Sequence, residues 1–417
     1  MKLRSTGNQN KVLYVTLLLT LLCFFCNIRF SFVVPYLEVT SIFRKDADYQ
    51  LAFYWMIALF TGLTSGAYLL SKYFEEKGYC LFRIYLVIAS GTILSCSLLY
   101  LFNLQGTYIT NQTLLPVIRF INAFFHPIAF ITPALILMKI YKSMSSIRIS
   151  SLFILAAISG MQMSYFATFY ITQNNLQLFC KLFLSVSILI AIILALSARL
   201  LTKAQKNLLI SSNFIKTKPL TIILAILVGC VFNTGIRYHY FFIDRYVTDV
   251  LVMQHDPIFG YVFFYIALSI FLPLAAHFFK QGNQQKFLTH SLMGLLVLSI
   301  ASVFLPIHSL INYAIYQIVF ALFLAIFLAL SLPLIFLMFK NNRLVFNGTL
   351  WFSTGYALGN LISDWLTAKY GFFTQSNYLP MLPFVLGGLG CLVILIYMTS
   401  TDSLANIDRS KEAIAKI

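Results

Sequence analysis

Residues 201–218 read LTKAQKNLLISSNFIKTK, a polar stretch carrying Lys203, Lys206, Lys216 and Lys218 and no acid. Long apolar runs flank it, six before and six after. A hydrocarbon core about 30 Å thick takes roughly 20 residues of helix. Only helices and closed barrels satisfy their backbone polar groups in lipid. The runs are continuous rather than alternating, so they read as helices. The expected spans cover about 12–37, 48–71, 81–103, 113–138, 149–172 and 176–199, then about 219–247, 257–279, 287–306, 310–339, 346–370 and 378–400. Pro127 and Pro133 in the fourth span and Pro333 in the tenth are expected kink sites.

Composition agrees with this reading. The chain is 60% hydrophobic and 10% charged over 417 residues, whereas a soluble domain carries about 25% charged residues. The bilayer is therefore the solvent. The fold class expected is an all-α integral membrane protein of twelve transmembrane helices arranged as two six-helix bundles. Residues 1–200 form the first bundle, 201–218 a basic linker, 219–400 the second bundle and 401–417 a tail. There is no P-loop, H-E-x-x-H or glycine-rich nucleotide fingerprint, so neither ATP hydrolysis by this chain nor an enzyme activity is expected. Cys23 and Cys26 form a C-x-x-C, but within a continuous apolar helix, where packing is the expected role. No metal or cofactor is expected.

Lys and Arg placement gives the orientation. With the N-terminus inside, the inner segments hold most of the 29 basic residues. They are Lys2, Arg4 and Lys11; Lys72, Lys77 and Arg83; Lys139, Lys142 and Arg148; Arg199 and the four linker lysines; Lys280 and Lys286; Lys340 and Arg343; and Arg409, Lys411 and Lys416. The outer loops and span ends hold only Arg44, Lys45, Lys181, Arg245 and Lys369. An N-in, C-in topology follows. The net charge of +17 then faces anionic lipids of the inner leaflet, and nucleic acid is not needed to explain it. Short loops and Lys/Ile/Asn-rich usage suggest a bacterial inner membrane.

The two halves share features at corresponding places. The loop after the second span, residues 66–78, reads GAYLLSKYFEEKG, and the loop after the eighth runs from Leu274 to Lys280 and Gly282. Both are short, basic and contain glycine. Gly62/Gly66 and Gly355/Gly359 are small-x-x-x-small pairs that let helix backbones approach closely. On these features, together with Arg119 and Ala123 in the fourth span, the chain resembles the major facilitator superfamily over essentially its whole length. It departs from the pattern in two places. The Asp usual in the loop after the second span is missing, with Ser71 or Lys72 near its place and Glu75 and Glu76 displaced. The residue that usually makes the family's inside gating ion pair is thus absent. The Gly-Pro motif of proton-driven drug antiporters is absent from the fifth span. The resemblance implies a pathway within one chain, hence a functional monomer, with spans one, four, seven and ten lining a central cavity.

Three arginines lie within spans: Arg29 in the first, Arg119 in the fourth and Arg237 in the seventh. An Arg at mid-bilayer costs roughly 2.5–3.5 kcal/mol on insertion scales, so such residues face the bundle interior or water. Each lies roughly four to six residues outward of its span midpoint, about 6–9 Å at the helical rise. All three are expected at one level of the implied cavity. Polar stripes accompany them. Arg119, Asn122 and His126 share a face, as do Arg237, Tyr240 and Asp244. Ser353, Tyr356, Asn360 and Asp364 form a stripe in span eleven; Ser159, Gln162 and Tyr165 form one in span five; Tyr313 and Gln317 lie one turn apart in span ten, beside Tyr316.

Arg presents a planar fork suited to carboxylate or phosphate. The expected substrate is therefore a small organic anion or zwitterion: an amino acid, a carboxylate or a carboxylate-type metal chelate. Candidate binding residues are Arg29, Arg119, Asn122, Gln162, Tyr165, Arg237, Tyr240, Tyr316, Gln317 and Asn360. Asp244, Asp364 and His126 are candidate proton carriers. Import by alternating access is the first reading and export by the same fold the alternative, with a transport-dead sensor or an intramembrane transferase as remote ones. A purely structural pairing of Arg119 and Arg237 with Asp364, Asp244 or backbone carbonyls competes with the anion-site reading.

Overall fold

The computed structural model describes residues 14–27, 49–77, 82–91, 94, 114–140, 146–170, 217–245, 258–278, 284–304, 310–340 and 343–369, with parts of 181–196 and 388–396. Over 49–52, 114–115, 140, 164–170, 237–245, 258–262, 284–285, 302–304, 310 and 364–369 it describes the backbone alone. All the described elements are helices. They are α1 (Tyr14–Asn27), α2 (Tyr49–Lys77), α3 (Phe82–Gly91), α4 (Leu114–Phe124), α5 (His126–Ile140), α6 (Ser146–Tyr170), α7 (Ser187–Leu196), α8 (Pro219–Arg245), α9 (Ile258–Phe278), α10 (Gln284–Phe304), α11 (Leu310–Phe339) and α12 (Leu344–Lys369).

Five stretches within α2, α4–α5, α6, α8 and α11 are long and apolar enough to cross a membrane. The second, fourth, fifth and seventh to eleventh expected spans coincide with these elements within a few residues; much of the first, third, sixth and twelfth lies outside the described residues. The fourth span is broken at Phe125, between α4 and α5. Pro127 explains the break: it has no N–H to donate, and its ring clashes with the carbonyl four residues back. Pro133 and Pro333, expected as kink sites, sit inside α5 and α11, which continue through them, as α9 continues through Pro273.

Glycines set the closest helix pairs. A Cβ on Gly62 would lie 2.7 Å from the Phe120 carbonyl oxygen, and one on Gly66 would lie 1.9 Å from that of Phe124, so α2 rides directly on the α4 backbone. A Cβ on Gly355 would lie 1.9 Å from the Ile226 oxygen and one on Gly359 2.7 Å from the Cys230 oxygen; Gly229 of α8 reciprocates against Phe352 of α12. In both pairs the contacts advance in the same chain direction, so α2 runs parallel to α4 and α8 parallel to α12. Thr61, Thr64 and Ser65 surround the α2 glycines, and each donates its hydroxyl to a carbonyl one turn back. Phe125 packs on Gly91 of α3 and Phe323 on Gly294 of α10, equivalent places in the two halves.

The halves meet along two seams. On one, α12 packs on α2 and α5; on the other, α6 packs on α9 and α11. Buried apolar residues from both halves form one continuous core.

Candidate functional site

Arg119, Asn122 and His126 project from one face of the fourth span, on both sides of its break. All three are buried, Arg119 with 1% of its surface exposed. The Arg119 guanidinium carbon lies 4.8 Å from the ring centroid of Trp55 on α2. The His126 ring lies 5.7 Å from that of Tyr356 on α12, so this face looks across the seam between the halves. Ser353, Tyr356 and Asn360 are buried along the facing stripe of α12. Asn360 donates through Nδ2 to the Tyr356 carbonyl in its own helix, 3.4 Å.

Ring contacts supply a register between spans. His126, Tyr356 and Phe232 of α8 share a level, with Phe232 6.1 Å from Tyr356. Moving outward, Arg119 lies seven residues beyond His126, Arg237 five beyond Phe232 and Asp364 eight beyond Tyr356. At the helical rise these offsets are about 10, 8 and 12 Å. Arg119, Arg237 and Asp364 therefore occupy a layer a few ångströms thick. The side chains of Arg237, Tyr240, Asp244, Tyr165 and Asp364 lie outside the described residues, and Arg29 does so entirely. Gln162 on α6 and Gln317 on α11 are buried. The Tyr316 hydroxyl donates to the Leu298 carbonyl of α10, 3.4 Å away, joining α11 to α10, and its ring stacks on Phe320 one turn on in its own helix at 6.1 Å.

Two buried residues of this region escaped the sequence reading. Asn233 lies one turn inward of Arg237 and continues its stripe; its Cβ faces Gly359. Its Oδ1 and the Ser353 Oγ meet no hydrogen-bond partner among the described residues. Asn233 was legible by helical spacing from Arg237. Trp55 was not, because it follows Phe53 and Tyr54 in a run that resembles an interfacial aromatic belt. Phe53 and Tyr54 are 52% and 50% exposed, but Trp55 only 7%.

Inward of the polar layer lies a floor of rings. Phe232 of α8 packs 5.8 Å from Phe130 of α5 and 5.3 Å from Phe352 of α12, with Tyr356 completing the cluster. Below it, the Thr132 and Thr349 hydroxyls hydrogen-bond across the seam at 3.0 Å. Leu135 of α5 closes on Gly348 of α12.

At the lysine-rich end the halves are joined again. The Arg343 Nε and Nη2 both donate to the Glu75 carboxylate, a bidentate pair between the start of α12 and the end of α2. Glu75, near the place of the missing Asp, thus makes an ion pair between the halves. Glu75 lies one turn beyond Ser71 on the same face of α2, and Ser71 is buried. Arg343 has a φ of 42°, a left-handed conformation costing roughly 1–2 kcal/mol for a residue with a Cβ. Its carbonyl accepts from the Asn347 N–H at 2.9 Å, and its guanidinium lies 4.6 Å from the Phe346 ring centroid. Phe346 meets Tyr68 of α2 at 6.1 Å, and Asn347 donates to Thr217 Oγ1 at the end of the linker, 3.4 Å.

No family model matches the chain, and no curated protein matches it. Solved structures do. A double-tryptophan mutant of XylE superposes with a TM-score of 0.70 at 13% identity, covering 92% of this chain and 94% of that one. XylE bound to 6-bromo-6-deoxy-D-glucose, a proton:xylose symporter of the major facilitator superfamily, gives 0.64 at 12% identity, covering 94% and 96%. The human organic anion transporter MFSD10 gives 0.60 at 11% identity, covering 92% and 99%. The order of the helices, the two seams and these whole-chain superpositions together identify the chain as a multi-pass membrane protein with the major facilitator fold.

Proposed function

We propose that this protein is a proton-coupled secondary transporter that imports a small organic anion or zwitterion by alternating access. The observation that carries the proposal is Arg119. Its guanidinium is buried beside Trp55, on one face with Asn122 and His126. Burial of a cation within a span is costly and marks a pathway or a binding site. An amino acid, a carboxylate or a carboxylate-type chelate brings the planar anion that this fork fits. His126 is the proposed proton carrier among the described residues, because it faces Tyr356 across the seam and an imidazole nitrogen can take up and release a proton. Arg29 and Arg237 are the proposed further cations of the layer, and Asp244 and Asp364 further proton sites. The two halves rock about a site lying between them, within one chain in a bacterial inner membrane.

A second reading rests on the amides. Asn122, Gln162, Asn233, Gln317 and Asn360 are all buried, and such groups suit a neutral polyhydroxylated solute. A thermal-shift screen of the purified protein at about pH 6 separates the two readings. It should include amino acids, mono- to tricarboxylates, ferric chelates, sugars, nucleosides and cationic drugs. A ligand at 100 times its dissociation constant stabilises by about 2.7 kcal/mol. Stabilisation by carboxylates that disappears in Arg119→Ala supports the anion site. Stabilisation by sugars or nucleosides alone replaces it with the second reading.

A further inference from the structure

We infer that Trp55 is a positioning residue for the anion site, holding the Arg119 guanidinium by its indole face and thereby setting substrate affinity; the inference rests on the reading of Arg119 as the anion-binding group. Three observations carry it. The guanidinium carbon is 4.8 Å from the indole centroid, within the roughly 6 Å at which a ring quadrupole attracts a cation. Trp55 is turned into the bundle while Phe53 and Tyr54 beside it face outward, so it is not one of the lipid-facing rings that anchor helices at an interface. The two residues stand on α2 and α4, whose backbones are held together by Gly62 and Gly66 against Phe120 and Phe124. The helix bearing the indole is therefore held close to the helix that bears the arginine.

Physical chemistry gives the consequence. A long Arg side chain has much rotamer freedom, and a bidentate grip on a carboxylate requires one orientation of its plane. A ring that fixes that orientation beforehand lowers the ordering cost of binding. Because the cation–π attraction depends on the ring's electron density, it weakens when fluorine is placed on the indole with little change in shape.

The test uses the full-length protein with Trp351 and Trp365 replaced by Phe, leaving Trp55 as its sole tryptophan. Succinate, L-glutamate and inorganic phosphate serve as probes, with binding followed by thermal shift and by Trp55 emission. Trp55→Leu is expected to weaken binding of the responding anion about 3- to 30-fold, the range that a desolvated cation–π contact represents, and Trp55→Phe to restore part of it. Biosynthetic 5-fluorotryptophan and then a difluorotryptophan at position 55 should lower affinity in graded steps, with the unfolding temperature unchanged. In proteoliposomes the loss should raise KM more than it lowers kcat. An anion that binds Trp55→Leu and the fluorinated proteins as tightly as the parent overturns the positioning role and leaves the anion site standing. Failure of all three anions to shift the parent protein overturns both.

Discussion

The Glu75–Arg343 pair is the contact whose removal most directly tests the closed state at the basic end. Its side chains are 19% and 29% exposed, between the exposed pairs that contribute about 0.2–1 kcal/mol and the buried pairs whose breakage costs about 3–5 kcal/mol. The bidentate geometry puts it above the exposed class, so about 1–2 kcal/mol is a reasonable magnitude for Glu75→Gln. If the pair exists only when the halves are closed here, all of that energy biases the equilibrium. One to two kcal/mol is a factor of about 5–30 in population. The reporter is Ser353→Cys in a cysteine-free background. Ser353 is buried on α12, behind both the ion pair and the Thr132–Thr349 contact. Maleimide labelling in inside-out vesicles, with opening fast relative to reaction, should accelerate about 5- to 30-fold in Glu75→Gln. The double exchange Glu75→Arg with Arg343→Glu should return most of the protection, as a pairwise coupling requires. Labelling of Glu75→Gln within twofold of the parent would falsify the view that this pair closes the pathway.

Three further predictions follow from distances. Gly66→Ala and Gly355→Ala should lower the unfolding temperature, because each added Cβ would sit 1.9 Å from a backbone oxygen and such overpacking costs about 1–3 kcal/mol; Gly388→Ala, with nothing among the described residues within 4 Å of its Cβ, is the control and should be silent. Thr132→Val or Thr349→Val should each destabilise by about 1 kcal/mol by orphaning the partner hydroxyl, with the double Val variant costing less than the two singles summed; strict additivity in thermal unfolding would refute the hydrogen bond. Phe232→Ala removes the ring that contacts Phe130, Phe352 and Tyr356 together, and proteoliposomes loaded with a pH-sensitive dye should then leak protons measurably faster than those holding the parent; equal tightness would mean the rings are not the barrier.

What the sequence disclosed follows from what the bilayer enforces. Spans were legible because lipid leaves the backbone no alternative to helix, and predicted ends fall within a few residues of α8, α9, α11 and α12. The break at Pro127 was legible from covalent chemistry. Pro133 and Pro333, the other expected kink sites, lie inside α5 and α11, which continue through them. Buried polar stripes were legible from helical spacing, and Arg119, Asn122, His126, Ser353, Tyr356 and Asn360 all lie buried as that spacing requires. Partners across the molecule were not. Glu75 and Arg343 are 268 residues apart, and nothing local to either names the other. Trp55 stands seven residues before Gly62 and eleven before Gly66, so the close-packing face of α2 already pointed to its burial; the neighbouring Phe53 and Tyr54 masked that signal.

The distribution of contact types also indicates which joints are built to move. Within each half, the tightest contacts are backbone against backbone: α2 on α4 through Gly62 and Gly66, and α8 on α12 through Gly229, Gly355 and Gly359. Separating such surfaces forfeits close packing along several turns at once, without a substitute in lipid. Between the halves, the contacts described are mostly side chain to side chain: Glu75 with Arg343, Tyr68 with Phe346, Thr132 with Thr349, and His126 with Tyr356. Each contributes on the order of 1 kcal/mol, and each has polar or aromatic groups that water or a solute can serve once the seam opens. A helix such as α12, fixed to α8 by glycine and to α2 and α5 by side chains, is therefore expected to travel with its own half. The seam facing α2 and α5 is where the pathway should open, and His126 meets Tyr356 across it.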